Sequence, residues 1–179
     1  LKPIHIIFIL LLVIAGIIVF ILASDPPLNA AGMAHDSVAG LKVGGNGAER
    51  LTTIGQAPFY FQVCVILLAA SLLFLGVPEH RRDKLLYSLF ATATGYALFV
   101  WYSLISSYES YHVTGVTEVV FGFPVPTNWF LWGVWSGFVM FDLLYVFAFR
   151  RYFLHPDDEK AFQELVTSMK TDGPEAGGT

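Results

Sequence analysis

The sequence predicts an all-α integral membrane protein: a four-helix bundle with both termini cytoplasmic and a short amphipathic C-terminal helix. Three observations predict it. Four apolar stretches, roughly 4–23, 59–77, 85–105 and 129–149, approach the ~20 residues that a helix needs to cross ~30 Å of hydrocarbon. Three of them contain no Asp, Glu, Lys or Arg, and the fourth holds a single acid, Asp142. The basic residues are also unevenly placed. Lys2, Arg81, Arg82, Lys84, Arg150, Arg151, Lys160 and Lys170 fall on one side of the predicted spans, against Lys42 and Arg50 on the other. Cytoplasmic loops carry the excess of Lys and Arg, so the larger set is assigned to the cytoplasm.

Composition agrees with this class. Of 179 residues 55% are apolar and only 13% charged, against ~25% charged in soluble domains. The net charge of −4 comes without a basic patch, so no nucleic-acid partner is expected. The lone Cys64 permits no intrachain disulfide and reads as a small apolar core residue.

The first span is uninterrupted over residues 6–23, longer than the 7–15 residues of a signal-peptide core, and is read as a retained helix. Ala23-Ser24-Asp25-Pro26-Pro27 ends it. The following outer loop, 25–58, is rich in Gly, Pro and Ala, with a turn at Gly44-Gly45-Asn46-Gly47. A loop of this length without its own secondary structure is expected to be functional or ordered by a partner. The short link 78–84 makes the second and third spans antiparallel neighbours.

A second outer segment, 107–126, runs from Val113 to Phe121 with β-branched residues around a Gly, which predicts a short hairpin or surface ledge. Beyond Arg151, His155-Pro-Asp-Asp-Glu159 supplies a helix start with acids in its first turn. Phe162, Leu165, Val166 and Met169 then recur at helical spacing, so an amphipathic helix of about 14 residues is expected on the membrane surface or against a partner. The resulting division is a membrane domain over 1–151, a cytoplasmic helix over 152–170 and a disordered tail over 171–179.

Asp142 is the leading candidate residue. It lies roughly 10 Å inside the boundary at 1.5 Å per residue. The same depth on antiparallel neighbours reaches Thr92 and Ser71, with Tyr96 one turn deeper. Such a carboxyl relays a proton or cation, fixes helix register through those hydroxyls, meets a partner subunit, or snorkels. Gly133-Val-Trp-Ser-Gly137 is a GxxxG contact face, where small residues let helix backbones approach. Ala91-x-x-x-Gly95 and Ala93-x-x-x-Ala97 offer similar faces on the third span. Internal packing and an external partner both fit these faces.

Aromatics crowd the outer boundary, including all four tryptophans: Trp101, Trp129, Trp132 and Trp135. They read as an interfacial belt, or as a flat-ring site for quinone, pigment or sterol. Glu109-x-x-His112 with His35, Asp36 and Glu118 come from separate loops, so no metal site is expected. No haem, nucleophile elbow, phosphate loop or HExxH pattern is present, and neither catalytic residues nor cofactors are expected.

The segment Phe121-Gly-Phe-Pro-Val-Pro-Thr-Asn-Trp-Phe-Leu-Trp-Gly-Val-Trp-Ser-Gly-Phe-Val-Met-Phe-Asp-Leu-Leu-Tyr145 resembles the terminal helix of small accessory subunits of sodium:solute symporters. The shared features are the Gly-Phe-Pro lead-in, the Trp-rich first turn, the pair of small residues and the Tyr before a charged end. Those subunits usually have two spans rather than four, and Trp135 stands where they usually have Gln. The resemblance implies a non-catalytic helper bound to a transporter.

The functional expectation is an accessory or structural subunit of a larger membrane complex, a transporter or energy-coupling assembly, multi-pass in the inner (plasma) membrane. Its partners would be larger integral membrane subunits and lipids. The alternative is a subunit of a membrane redox or photosynthetic complex contacting quinone, lipid or pigment.

Overall fold

A computed structural model describes residues 3–25, 32–43 and 52–171. Within them lie four helices long and apolar enough to cross a membrane: α1 (Pro3–Ala23), α2 (Ala57–Leu75), α3 (Lys84–Thr114) and α4 (Val125–Phe153). A fifth helix, α5 (Pro156–Thr171), follows. The protein is therefore a mostly helical membrane protein. The predicted turn at Gly44–Gly47 and the predicted tail, apart from Thr171 at the end of α5, lie outside the described residues.

Most boundaries move by a few residues, and two differences from the sequence reading are larger. Helix α3 runs on to Thr114, past the predicted end at 105, because Ser106–His112 has no breaker. It stops where Gly115 takes the left-handed conformation (φ 66°) and returns its N–H to Tyr111 O. The predicted hairpin consequently starts later than Val113. It pairs β3 (Val119–Val120) with β4 (Phe123–Pro124). Phe121 (φ 50°) and Gly122 (φ 82°) make its two-residue turn, whose positive φ values suit a tight hairpin. Asn128 secures the hairpin to α4, its Nδ2 donating to Val120 O (2.7 Å) and Phe123 O (2.9 Å). The loop after α1, expected to lack secondary structure, carries a small antiparallel ladder of β1 (Met33–Ala34) and β2 (Lys42–Val43).

The long helices pack in chain order, α1 on α2, α2 on α3 and α3 on α4. Each pair is antiparallel. Phe59 stacks near Trp101 at one end of the α2–α3 pair, and Phe74 meets Tyr87 and Phe90 at the other. One end of the molecule thus collects Pro3, the 78–83 link, Arg150 and Arg151, and is called here the basic end. The opposite, aromatic end holds the hairpin and the tryptophans. The buried cluster lies toward the basic end: Val77, Leu86, Phe90, Leu144, Ala148 and Tyr152. Helix α1 buries only Ile7.

Candidate functional site: helix contacts and the Asp142 groove

The GxxxG face on α4 is an internal contact with α3. Gly133 and Gly137 are both buried. A Cβ on Gly133 would stand 2.9 Å from Val100 Cγ1 and 2.9 Å from Trp129 Cε3, so only glycine fits without a shift. Gly137 is looser, with its Cβ position 4.0 Å from Ala97 Cβ. Between them Ser136 Oγ donates to Gly133 O (2.7 Å) and accepts from the Tyr96 hydroxyl (2.7 Å). A polar bond thus locks the register that the small residues permit.

Residues Trp129–Gly133 form a π-helical turn, a wider turn that arises mostly as a local insertion in an α-helix. It leaves the tryptophans in different environments. Trp129 meets Phe99 edge to face at 5.8 Å. Trp101, on α3, donates Nε1–H to Phe59 O at 3.2 Å and closes the α2–α3 contact. Trp132 and Trp135 are exposed, as is Phe130 between Trp129 and Trp132. The predicted belt is therefore split: Trp101 and Trp129 hold helices together, and only Trp132 and Trp135 face outward.

Asp142 lines a cleft of about 210 Å³ between α2, α3 and α4. Ile66 and Leu73 form one wall, Phe138 and Phe141 the other, with Ala97 and Val100 at the back; Gln62 is the other polar side chain there with no bond among the described residues. The Asp142 side chain is exposed and makes no hydrogen bond or ion pair among the described residues. The expected network with Thr92 and Ser71 is not formed. Ser71 faces the α1 side and donates to Leu67 O (2.7 Å), and Thr92 is exposed. The three residues occupy similar depths on three different azimuths. The contact that does join α2 to α4 near this level is the Tyr145 hydroxyl on Leu73 O, at 3.4 Å.

The basic end carries a polar clasp that sequence reasoning missed. Asp83 caps α3 by accepting Leu86 N–H (2.8 Å), and also receives the Tyr152 hydroxyl (2.8 Å) and Arg151 Nη2 (2.8 Å) from α4. The Leu86 N–H chiefly, then the Tyr152 hydroxyl and Arg151, hold its carboxyl below the ordinary carboxylate value, against the desolvation that opposes them. Arg81 pairs with Asp158 at 2.7 Å and ties the start of α5 to the same link. The signal was legible: Asp83 directly precedes an apolar helical run after Pro78, a standard helix start. Its partners seventy residues on were not.

The Glu109–His112 pair lies on α3 as its spacing required, but Glu109 accepts from Gln56 Nε2 (3.1 Å), and His112 packs on Tyr108. Among the described residues no three His, Cys, Asp or Glu side chains gather as a metal site would need. Compared with known proteins, the chain matches no family model, no curated sequence and no solved structure.

Proposed function

We propose that this chain is a non-catalytic accessory or structural subunit of a larger membrane assembly. The observation that carries the reading is the unpaired carboxyl of Asp142 inside the fourth span. An acid at that depth is costly in lipid, by about 2.5–3.5 kcal/mol on insertion scales at the helix centre. Its side chain is too short to cover roughly 10 Å to the boundary. A donor or cation from outside the chain removes that cost. The cleft beside it, at about 210 Å³, is smaller than the ~300–1,000 Å³ of typical ligand sites, which favours side chains of a neighbouring helix over a substrate.

Within that class we read a transporter or energy-coupling complex in the inner (plasma) membrane, with both termini cytoplasmic. The likeness of the Phe121–Tyr145 segment to symporter accessory subunits and the Lys/Arg asymmetry support it. A second reading, a redox or photosynthetic subunit, draws on the exposed Trp132 and Trp135. An absorption spectrum of the purified complex separates the two, since haem, flavin or chlorophyll bands favour the second.

The test is purification from native membranes in mild detergent. The wild-type chain is expected to migrate within a larger complex, and Asp142→Leu to dissociate from it while still accumulating in the membrane. A monodisperse monomer from native membranes overturns the reading.

A further inference from the structure

One small-residue face found in the sequence has no helix against it. Ala91 and Gly95 on α3 line a cavity of about 620 Å³ between α1, α2 and α3, and a Cβ built on Gly95 meets nothing within 4 Å. The volume falls within the ~300–1,000 Å³ range of ligand sites. Its walls are mostly hydrocarbon, from Ile6, Leu67 and Leu98, with the hydroxyls of Ser71 and Thr94 among them. At the basic end the lining changes character. Arg82 lies there with its side chain only 9% exposed and its guanidinium 4.9 Å from the centre of the Phe74 ring.

Arg82 is fixed rather than neutralised. Its Nε donates to Val77 O at 2.9 Å, and the one ion pair it makes among the described residues is with Glu79, 3.9 Å away on an 82% exposed side chain. A guanidinium has five N–H donors, and an exposed ion pair of that kind contributes little. Tyr87 lines the same mouth, its hydroxyl without a hydrogen bond among the described residues. An apolar trough with small residues along one wall, ending in a held cation at the membrane boundary, matches one chemical class: a lipid with an anionic phosphate head.

We propose that the α1–α2–α3 cavity is a binding site for an anionic phospholipid, with an acyl chain lying along Ala91 and Gly95 and the phosphate on Arg82. Moving an acyl chain from bilayer to groove gains no hydrophobic free energy, because both surroundings are apolar. Selectivity therefore rests on the head group. Basic pockets between helices at a membrane face recognise anionic heads in this way.

The test uses the full chain purified in mild detergent and native mass spectrometry with phosphatidylglycerol or phosphatidylcholine of the same acyl chains. One retained phosphatidylglycerol is expected, preferred about five- to tenfold over phosphatidylcholine, with a preference that shrinks as salt rises. Arg82→Gln, which keeps a donor for Val77 O, should abolish the preference. Gly95→Leu and, separately, Ala91→Leu should displace both lipids while circular dichroism shows unchanged helix content. Equal retention of the two lipids by the wild type overturns the proposal. A preference that survives in Arg82→Gln also overturns it, as does competition by free glycerol phosphate as strong as that by the intact lipid.

Discussion

The two ends of this molecule are built on different terms. At the basic end the chain closes on itself: Val77 and Leu86 are fully buried, Tyr152 is 2% exposed, and Asp83 gathers a backbone N–H, a phenol and a guanidinium from two helices. At the aromatic end Phe130, Trp132 and Trp135 face outward, and α4 departs from α-geometry through its π-helical turn. Buried side chains hold the fold at one end, and large exposed ones crowd the other. The difference teaches that in lipid, where apolar surface alone does not drive helices together, polar bonds and close packing decide where a bundle is firm.

The contrast is tested most severely by Leu86→Ala. Emptying a fully buried site should cost about 2–4 kcal/mol, read by equilibrium unfolding with a denaturing detergent in mixed micelles. Trp135→Ala on the isolated chain should stay within about 0.5 kcal/mol. Equal losses from the two would erase the distinction between the ends.

Next in size is Gly133→Val. The added side chain collides with Val100 and Trp129, and overpacking of this kind costs about 1–3 kcal/mol. Gly137→Ala, where the nearest atom is 4.0 Å away, should be far milder. A reversed order of these two variants in the same titration would mean that α3 and α4 meet along another face. The result sharpens the comparison, since this contact links the firm end to the open one.

The smallest effect belongs to Asp83 and depends on pH. Its carboxyl is held below its ordinary value of 3.8. The clasp therefore contributes fully above pH 3.8 and is lost as the pH falls below 3.8, through the lowered value of the folded protein. Unfolding titrations at descending pH should show this loss in the wild type. Asp83→Asn should lower stability near neutrality and flatten the acid limb. An identical acid limb in Asp83→Asn would show that other carboxyls govern it.

Much of the architecture was legible before any coordinates. The hydropathy of the four stretches, the stop at Ser24-Asp25-Pro26, the short 78–84 link and the amphipathic run from Phe162 to Met169 follow from residue chemistry and the spacing of one helix. Depth was legible too, because rise per residue is fixed at ~1.5 Å; on that count Asp142, Thr92 and Ser71 were read as lying at similar levels. Their meeting was not. Which side of each helix faces a neighbour depends on how all the helices pack together, and α1 beside α2 turned Ser71 away from Asp142.

What the sequence alone determined, then, is set along a single helix axis: which segments are apolar enough to span and how residues are spaced along them, although α3 runs on to Thr114, past its predicted end. Only the tertiary structure decided what is set around that axis. It turned the GxxxG face inward onto Val100 and Ala97 and left Ala91 and Gly95 open beside Arg82. It joined Asp83 to Tyr152 and left Asp142 without a partner among the described residues. The physical reason is that rise is a local property of the backbone, whereas azimuth is fixed by contacts between segments far apart in the chain.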